Sequence, residues 1–253
     1  RQRQMCIRDS DRAAGTILRH YFSQLHLLER ELSLSDRLTK VTVDLVALAS
    51  RGHNDVPNRE DEPYRRAVHG IRGRVAATAV NFFDESIIEG DWSEFTPYDS
   101  AEELLEELSI IDDSLRSSHD DLIADHRLRD LMDSVEVFGF HLYSIDLRQN
   151  SDSQEEILTE LFSAAGVVDN YAGLKEADKV ELLTKELQSS RPLVSTSADL
   201  SEATARELGI MRAASRAVRK YGHDAVPHCI ISMCTSVSDL LEPMILLKEV
   251  GLI

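Results

Sequence analysis

Two charged side chains near the end of an apolar run are the first candidates for chemistry in this sequence. Asp146 and Arg148 stand two positions apart, close to the end of residues 138–151. A guanidinium is permanently charged, and its fork of N–H donors suits a phosphate or carboxylate group bidentately. Asp146 could orient Arg148 toward such a ligand, or the two side chains could form a structural ion pair. One carboxylate makes no metal site, so we assign no metal to this pair.

The apolar run predicts a buried strand over residues 137–147, because it is rich in aromatic and β-branched residues. Alternation along a strand places three apolar side chains on one face: Tyr143, Ile145 and Leu147. The other face then carries three polar side chains: Ser144, Asp146 and Arg148. A strand with one face on helices and the other toward a barrel interior has this pattern.

A second apolar run predicts another strand over residues 226–233, followed by a helix over residues 240–250. Ser236, Ser238 and Asp239 can cap that helix. Each strand is therefore followed by a helix, which is the βα unit of a parallel sheet. Two strands cannot close a barrel. We predict a mostly α fold with a few parallel strands, the first part of a (β/α)8 TIM-type barrel with large helical insertions.

The remainder of the sequence has helical periodicity. Apolar residues at i, i+3 and i+4 spacing and capping residues predict helices over residues 12–32, 43–50, 63–88, 101–117, 126–135, 153–165, 177–188 and 201–221. We therefore expect residues 11–130 to form a helical layer and residues 131–253 to form the first βα units of an incomplete barrel.

The first ten residues, RQRQMCIRDS, have no apolar periodicity and no signal-peptide core. They resemble the translation of a transposon end used to prepare sequencing libraries, so we interpret residues 1–10 as a sequencing or cloning scar. A genuine basic arm is the alternative. Position 1 is not Met and the last residues follow the helix-ending Gly251 directly, so we expect a piece of a longer protein.

Composition narrows the class of protein. The net charge of −17 argues against a nucleic-acid partner. The sequence contains no run of 18 apolar residues, so no membrane span is predicted. Cys6, Cys229 and Cys234 match no zinc or redox spacing, which favours reduced thiols in a cytoplasmic protein. His141 and His228, one in each predicted strand, are interpreted as hydrogen-bonded core residues and not as acid–base groups.

Four ordered segments resemble the phosphoenolpyruvate carboxylase family, most closely its actinobacterial branch. They are NREDEPYRRAVHGIRGRVAATA at residues 58–79, FGFHLYSIDLRQNS at 138–151, KELQSSRPL at 185–193 and HCIISMCTSVSDLLEPMILLKEVGLI at 228–253. The resemblance runs from about residue 11 to the end, and several ordered motifs are more specific than any single one.

The resemblance implies a reaction and a role for Arg148. The family adds bicarbonate to phosphoenolpyruvate, giving oxaloacetate and phosphate in anaplerotic carbon fixation. It uses Mg2+ or Mn2+, and it implies a cytoplasmic tetramer. Arg148 matches the arginine that contacts the phosphate of phosphoenolpyruvate, with Asp146 orienting it. Position 150 is often Glu in the family, so no role passes to Asn150.

The resemblance also implies that most of the catalytic parts lie elsewhere. The family's T-A-H-P-T-E segment would precede residue 11, and its metal ligands and G-R-G-G loop would follow residue 253. We therefore assign no catalytic residue and no metal ligand to this chain, and expect it to be inactive alone. Two alternatives remain: a non-catalytic acidic helical module that binds proteins, and a different barrel enzyme acting on a phosphorylated acid.

Overall fold

The chain folds into two compact units, and its two strands lie in the second. The computed structural model describes residues 2–52, 59–83, 87–194 and 198–253. Asp9–Tyr143 forms the first unit. The second unit consists of Ser144–Ile253 together with the first eight residues of the chain. The described residues are mostly helical with two parallel strands, as predicted. None of the described helices combines the length and the apolar character that crossing a membrane requires.

The described part of the first unit is built mainly from helices. Their bounds are α1 Gln2–Glu31, α2 Val43–Ser50, α3 Pro63–Phe83, α4 Ala101–Ser117, α5 Asp121–Ile123 and α6 Arg129–Phe138, with a π-helical turn at Ala124–Leu128. Side-chain caps begin two of them. Thr42 Oγ1 accepts a hydrogen bond from the Leu45 N–H at 3.3 Å, and Ser100 Oγ accepts one from the Glu103 N–H at 3.4 Å.

One apolar core holds the first unit together. A stripe of α1 is buried there: Ile17, Leu18, Tyr21, Leu25 and Leu28. Ile71 of α3 and Leu108 of α4 belong to the same core. Burying a side chain of this size contributes about 1.5–3 kcal/mol, so the apolar spacing that predicts α1 also explains its packing. The Tyr21 hydroxyl donates to the carbonyls of Ser134 at 3.0 Å and Gly139 at 2.8 Å, which ties α1 to the end of α6.

The second unit places two strands beside four helices. Its elements are β1 Leu147–Asn150, α7 Ser151–Ala164, α8 Glu176–Leu187, α9 Glu202–Tyr221, a 3-10 turn at His223–Ala225, β2 Cys229–Ser232 and α10 Ser238–Glu249. The strands pair in parallel, with Leu147 opposite Cys229 and Asn150 opposite Ser232. A separate apolar core lies among the helices and includes Leu158, Phe162, Leu183, Leu208 and Leu246.

The predicted first strand is wrong over most of its length. Residues 137 and 138 end helix α6, residues 139–146 form turns and irregular backbone, and strand β1 begins only at Leu147. Gly139 ends the helix with φ +46°, and Leu142 also has a positive φ, of 68°. Phe140 is only 2% exposed and packs its ring 6.0 Å from that of Phe82. Phe140 is thus buried within a turn, whereas Val137, Phe138 and Tyr143 are exposed, and short-range periodicity does not distinguish this arrangement from a strand.

Other predicted boundaries differ less. Helix α1 begins at Gln2 and not at residue 12, and β2 is shorter than the predicted strand at both ends. Helix α3 ends at Phe83, whereas its predicted end was near residue 88. The tip of the predicted polar loop, residues 53–58, and residues 84–86 lie outside the described part of the chain.

Candidate functional site

The candidate site is one face of the two-stranded sheet. This sheet face, as we call it, carries six side chains, three from each strand and its entry: Asp146, Arg148, Asn150, His228, Ile230 and Ser232. Arg148 and Ile230 are register partners and are both exposed. The opposite face, with Leu147 and Ile231, is half-buried. Because successive side chains of a strand lie on opposite faces, the sheet face is the more exposed face of the two strands.

Asp146 contacts two of the other polar side chains on the sheet face. Its Oδ2 accepts from Arg148 Nη2 at 3.3 Å, and its Oδ1 lies 3.2 Å from His228 Nδ1. Asp146 is partly shielded, with 28% of its side chain exposed, whereas Arg148 and His228 are 70% and 71% exposed. The structure thus brings together the two residues singled out in the sequence and adds a histidine to them.

The guanidinium of Arg148 retains free donors. Asp146 takes one hydrogen bond from Nη2, and no other partner of Arg148 occurs among the described residues. A guanidinium presents five N–H donors in a planar fork, so most of this fork remains available to an anion. The arrangement can bind a phosphate or carboxylate group, with Asp146 limiting the rotation of the arginine.

The ends of both strands are held by side-chain hydrogen bonds. On the opposite face from Arg148, Gln149 Nε2 donates to Glu207 Oε2 of α9 at 2.8 Å. Asn150 Oδ1 accepts from the Ser153 N–H at 2.8 Å and so caps α7. Ser151 Oγ donates to the Met233 carbonyl at 3.0 Å, which links the start of α7 to the end of β2. These contacts hold the strand that carries Arg148 against its neighbours.

The connection from β2 to α10 is held by two carboxylates. Asp239 Oδ2 accepts from the N–H groups of Thr235 at 2.7 Å and Ser236 at 2.9 Å. Burial alone would raise the pKa of the Asp239 carboxyl, but these hydrogen bonds lower it below its usual value. Glu176 of α8 accepts from the N–H and the hydroxyl of Ser238, and these two bonds lower the pKa of Glu176.

The N-cap residue of α10 is Val237, which makes no side-chain cap, and of the three predicted capping residues only Ser236 binds an N–H group of the first turn with its side chain. Ser236 Oγ accepts from the Asp239 N–H at 3.4 Å. Ser238 and Asp239 lie inside the first turn of the helix, and the Ser238 N–H is bound by Glu176 of another helix. A cap supplied from a distant helix leaves no local pattern in the sequence.

His228 is the functional candidate that the sequence reasoning missed. The prediction of a core residue is correct for His141, which is 9% exposed, and wrong for His228. His228 directly precedes β2, as Asp146 directly precedes β1. Because Leu147 pairs with Cys229, the preceding residues Asp146 and His228 are neighbours. The register of the two strands, which the sequence does not specify, would have been needed to predict this contact.

A second polar cluster is buried among α7, α8 and α10. Glu242 is fully buried, and its Oε1 accepts from the Tyr171 hydroxyl at 2.9 Å. Burial raises the pKa of Glu242 to about 7. Lys179 pairs with Glu155 and lies 5.2 Å from the centre of the Tyr171 ring. This cluster lies beside the apolar core of the second unit, and no hydrogen bond or ion pair between the described residues joins it to the sheet face.

The described residues provide neither a metal-binding group nor a cysteine with a lowered thiol pKa. In residues 2–52, 59–83, 87–194 and 198–253, no three His, Cys, Asp or Glu side chains are grouped so that they could hold a metal ion. Cys229 and Cys234 are free thiols, and burial raises the pKa of Cys229, which disfavours its reactive thiolate.

Comparison with known proteins gives a consistent family. The family model described as phosphoenolpyruvate carboxylase matches residues 4–253. A phosphoenolpyruvate carboxylase of Corynebacterium glutamicum is 60% identical over 244 residues, covering 96% of this chain and 27% of that protein. Those of Corynebacterium efficiens and Nocardia farcinica are 56% and 49% identical, covering 96% and 95% of the chain and 27% and 26% of the relatives. The chain thus spans about a quarter of the length of the curated relatives it matches.

Proposed function

The chain belongs to the phosphoenolpyruvate carboxylase family, and we propose that the whole protein carboxylates phosphoenolpyruvate with bicarbonate to give oxaloacetate and phosphate. The observation that carries the proposal is the exposed fork of Arg148, oriented by Asp146, within a segment that matches the family throughout. The alternative of a non-catalytic interaction module is not favoured, because the relatives are enzymes aligned over almost the entire chain.

In the proposed reaction, a bicarbonate oxygen attacks phosphorus and the bond from phosphorus to the enol oxygen breaks. The products of this step are carboxyphosphate and the enolate of pyruvate. Carboxyphosphate then releases carbon dioxide and phosphate, and the enolate carbon attacks carbon dioxide to form oxaloacetate. Negative charge on the transferring phosphoryl group must be balanced throughout. Arg148 donates hydrogen bonds to that group and stabilises its charge, which is the arginine's part in the mechanism.

A divalent cation, Mg2+ or Mn2+, belongs to the proposal for the whole protein. Bound to such an enzyme, it would stabilise the enolate oxygen as a Lewis acid. The described residues offer no group of three ligands for it, so they do not fit the ion and no step above passes through it.

The architecture of the whole protein is part of the same proposal. We propose that residues 131–253 supply the first βα units of a (β/α)8 barrel and that residues 11–130 form a helical layer. Two parallel strands, each followed by a helix, support this. In a barrel the sheet face would look inward, where such enzymes bind substrate. We further propose that residues 1–10 are a scar, and that the whole protein is a cytoplasmic tetramer acting on phosphoenolpyruvate and bicarbonate.

An exchange of segments tests the proposed activity. In an exchange protein, the part of this chain that aligns with the Corynebacterium glutamicum relative over 244 residues replaces the matching segment of that relative. We expect it to form oxaloacetate from phosphoenolpyruvate and bicarbonate, measured by coupling to malate dehydrogenase and NADH. The unmodified relative is the control. A folded exchange protein of the same subunit composition that forms no oxaloacetate would contradict the proposal.

A further inference from the structure

Asp146 is shared between two basic side chains, and this sharing sets the charge of the sheet face. Oδ2 binds Arg148 at 3.3 Å and Oδ1 binds His228 at 3.2 Å, so each carboxylate oxygen has its own partner. With a neutral imidazole the three side chains sum to zero charge. With a protonated imidazole they sum to +1, because the guanidinium stays charged at all relevant pH values.

The other charged groups near His228 do not alter this sum. On the turn that precedes β2, His223 Nδ1 and Asp224 Oδ1 lie 4.0 Å apart and are both almost four-fifths exposed. Neither has a described contact with Asp146 or Arg148. On the neighbouring strand, Gln149 binds Glu207 on the opposite face of the sheet. The local charge at the sheet face thus depends on Asp146, Arg148 and His228.

We propose that His228 is a positioning residue for Arg148, which holds Asp146 by its second oxygen and strengthens oxyanion binding when its imidazole is protonated. The identification of the oxyanion as the phosphate of phosphoenolpyruvate rests on the proposed function. Protonation of the imidazole adds one positive charge beside Asp146, so the site binds an oxyanion more tightly in the protonated state.

Protonation of His228 strengthens oxyanion binding because Asp146 interacts with both His228 and Arg148, one through each carboxylate oxygen. An imidazolium at Oδ1 neutralises the carboxylate and leaves the guanidinium with more of its positive potential for a ligand. It also fixes the carboxylate plane, so Oδ2 keeps the arginine in one orientation. One additional unit charge in a half-solvated site changes the affinity for a phosphate group by about threefold to tenfold.

Kinetics of the exchange protein between pH 6 and pH 8.5 test the proposal. His228→Asn keeps a hydrogen-bond donor without charge, and His228→Arg carries a permanent charge. We expect the Asn variant to raise KM for phosphoenolpyruvate about threefold to tenfold at pH 6 and to change it little at pH 8.5. The Arg variant should lower KM by a similar factor at pH 8.5, and kcat should change less than KM in both. Titration of the substrate itself cancels in the variant-to-parent ratios.

His223→Asn is the matched control, because that histidine is equally exposed and has no described contact with Asp146. It should leave KM unchanged at every pH. Equal KM ratios for the His228 variants across the pH range, in an active exchange protein, would overturn the role of His228 while leaving the proposed activity intact.

A second measurement uses the chain itself and does not depend on catalysis. Sulfate keeps its charge over this pH range, so it replaces phosphate as the probe, at constant ionic strength. NMR signals of the Arg148 guanidinium should respond to sulfate at lower concentration at pH 6 than at pH 8. The His228→Asn variant should lose this difference, and the His223→Asn variant should keep it. A pH difference that survives in the His228→Asn variant would overturn the proposal, even if the exchange protein were inactive.

Discussion

Arg148 has an exposed side chain with one weak contact among the described residues, and the rest of its guanidinium is uncommitted. An exposed ion pair at 3.3 Å contributes about 0–1 kcal/mol to stability, so replacing Arg148 should leave folding almost unchanged. Loss of a hydrogen-bonded charge opposite a phosphoryl group is more costly. We therefore expect the effect of a substitution to appear in catalysis and not in stability.

In the exchange protein, Arg148→Gln should lower kcat/KM for phosphoenolpyruvate at least tenfold, which corresponds to about 1.4 kcal/mol of lost transition-state stabilisation. The measurement is steady-state oxaloacetate formation. Arg206→Gln is the control, since Arg206 is 66% exposed and, among the residues that the structure describes, pairs with the adjacent Glu207 alone, at 3.7 Å. Unchanged kinetics in the Arg148 variant would remove this residue from the site.

Glu242 gives a second prediction at the residue scale, on stability. Its pKa is raised to about 7 in the folded chain by burial, whereas an unfolded glutamate titrates near 4.3. A raised folded-state pKa gives stability that is fully present below the unfolded pKa and is lost as pH rises through the folded pKa. The folded chain should therefore lose stability between about pH 4.5 and pH 8, by about 3–4 kcal/mol at most from this group.

Glu242→Gln should remove this component, because an amide oxygen still accepts from the Tyr171 hydroxyl and carries no charge to bury. Urea unfolding followed at the backbone amides of α10 measures it. The difference in stability between variant and parent should grow in favour of the variant from pH 5 to pH 8. Glu181→Gln, at an exposed position on α8, should show no such trend. A pH-independent difference for Glu242→Gln would refute the titration of this group.

At the scale of elements, the sequence predicted helices well and strands poorly. The stripe of α1 and the Thr42 cap of α2 are local patterns, and both appear in the structure. The two strands were predicted near their true positions, but β1 has four residues and begins where the predicted strand ended. Four residues carry too little periodicity to set a boundary, and Phe140, one of the aromatic residues before β1, belongs to the first core.

The same reasoning explains what was found and missed at the site. Asp146 and Arg148 are two apart in the chain, so alternation alone placed them together. His228 is 82 residues from Asp146, and only the parallel register joins them. Glu176, which binds the start of α10, is likewise 62 residues from Ser238. Contacts of this separation depend on tertiary packing and have no local signal.

Gly139 carries the prediction that belongs to the element scale. It ends α6 with φ +46° and ψ −138°, a region that residues with a Cβ rarely adopt. A Cβ there would lie 2.9 Å from His141 Nδ1. Gly139→Ala should destabilise the first unit by about 1–3 kcal/mol, since the chain must either accept strain or move the turn that leads to β1.

Trp92 fluorescence during urea unfolding reports on the same unit and measures the effect. Gly15→Ala is the matched control. Gly15 lies within α1, and a Cβ there would meet Ile87 and Phe83 at ordinary contact distances of 3.5 Å or more. That variant should be neutral or gain up to about 1 kcal/mol, because Ala favours helix. Equal stability of the two variants would show that the turn after α6 is not constrained as described.

At the scale of the whole molecule, the question is how much of a binding site this chain can supply. An affinity of 1 mM requires about 4.1 kcal/mol, whereas a single exposed ion pair contributes about 0–1 kcal/mol. The sheet face offers one free guanidinium, 70% exposed, and the whole chain carries a net charge of −17 that opposes an anionic ligand. The described residues therefore account for the orientation of one proposed phosphate contact and not for tight binding.

We predict that the isolated 253-residue chain binds phosphoenolpyruvate more weakly than about 10 mM and forms no measurable oxaloacetate. NMR titration and the coupled assay measure the two quantities on the same sample. The exchange protein, assayed at equal concentration, is the positive control, because it joins the same Arg148 to the remaining three quarters of a relative. Turnover by the isolated chain would mean that the groups needed for catalysis are all present within it. The proposal that Arg148 serves a site completed by other parts of the protein would then be wrong.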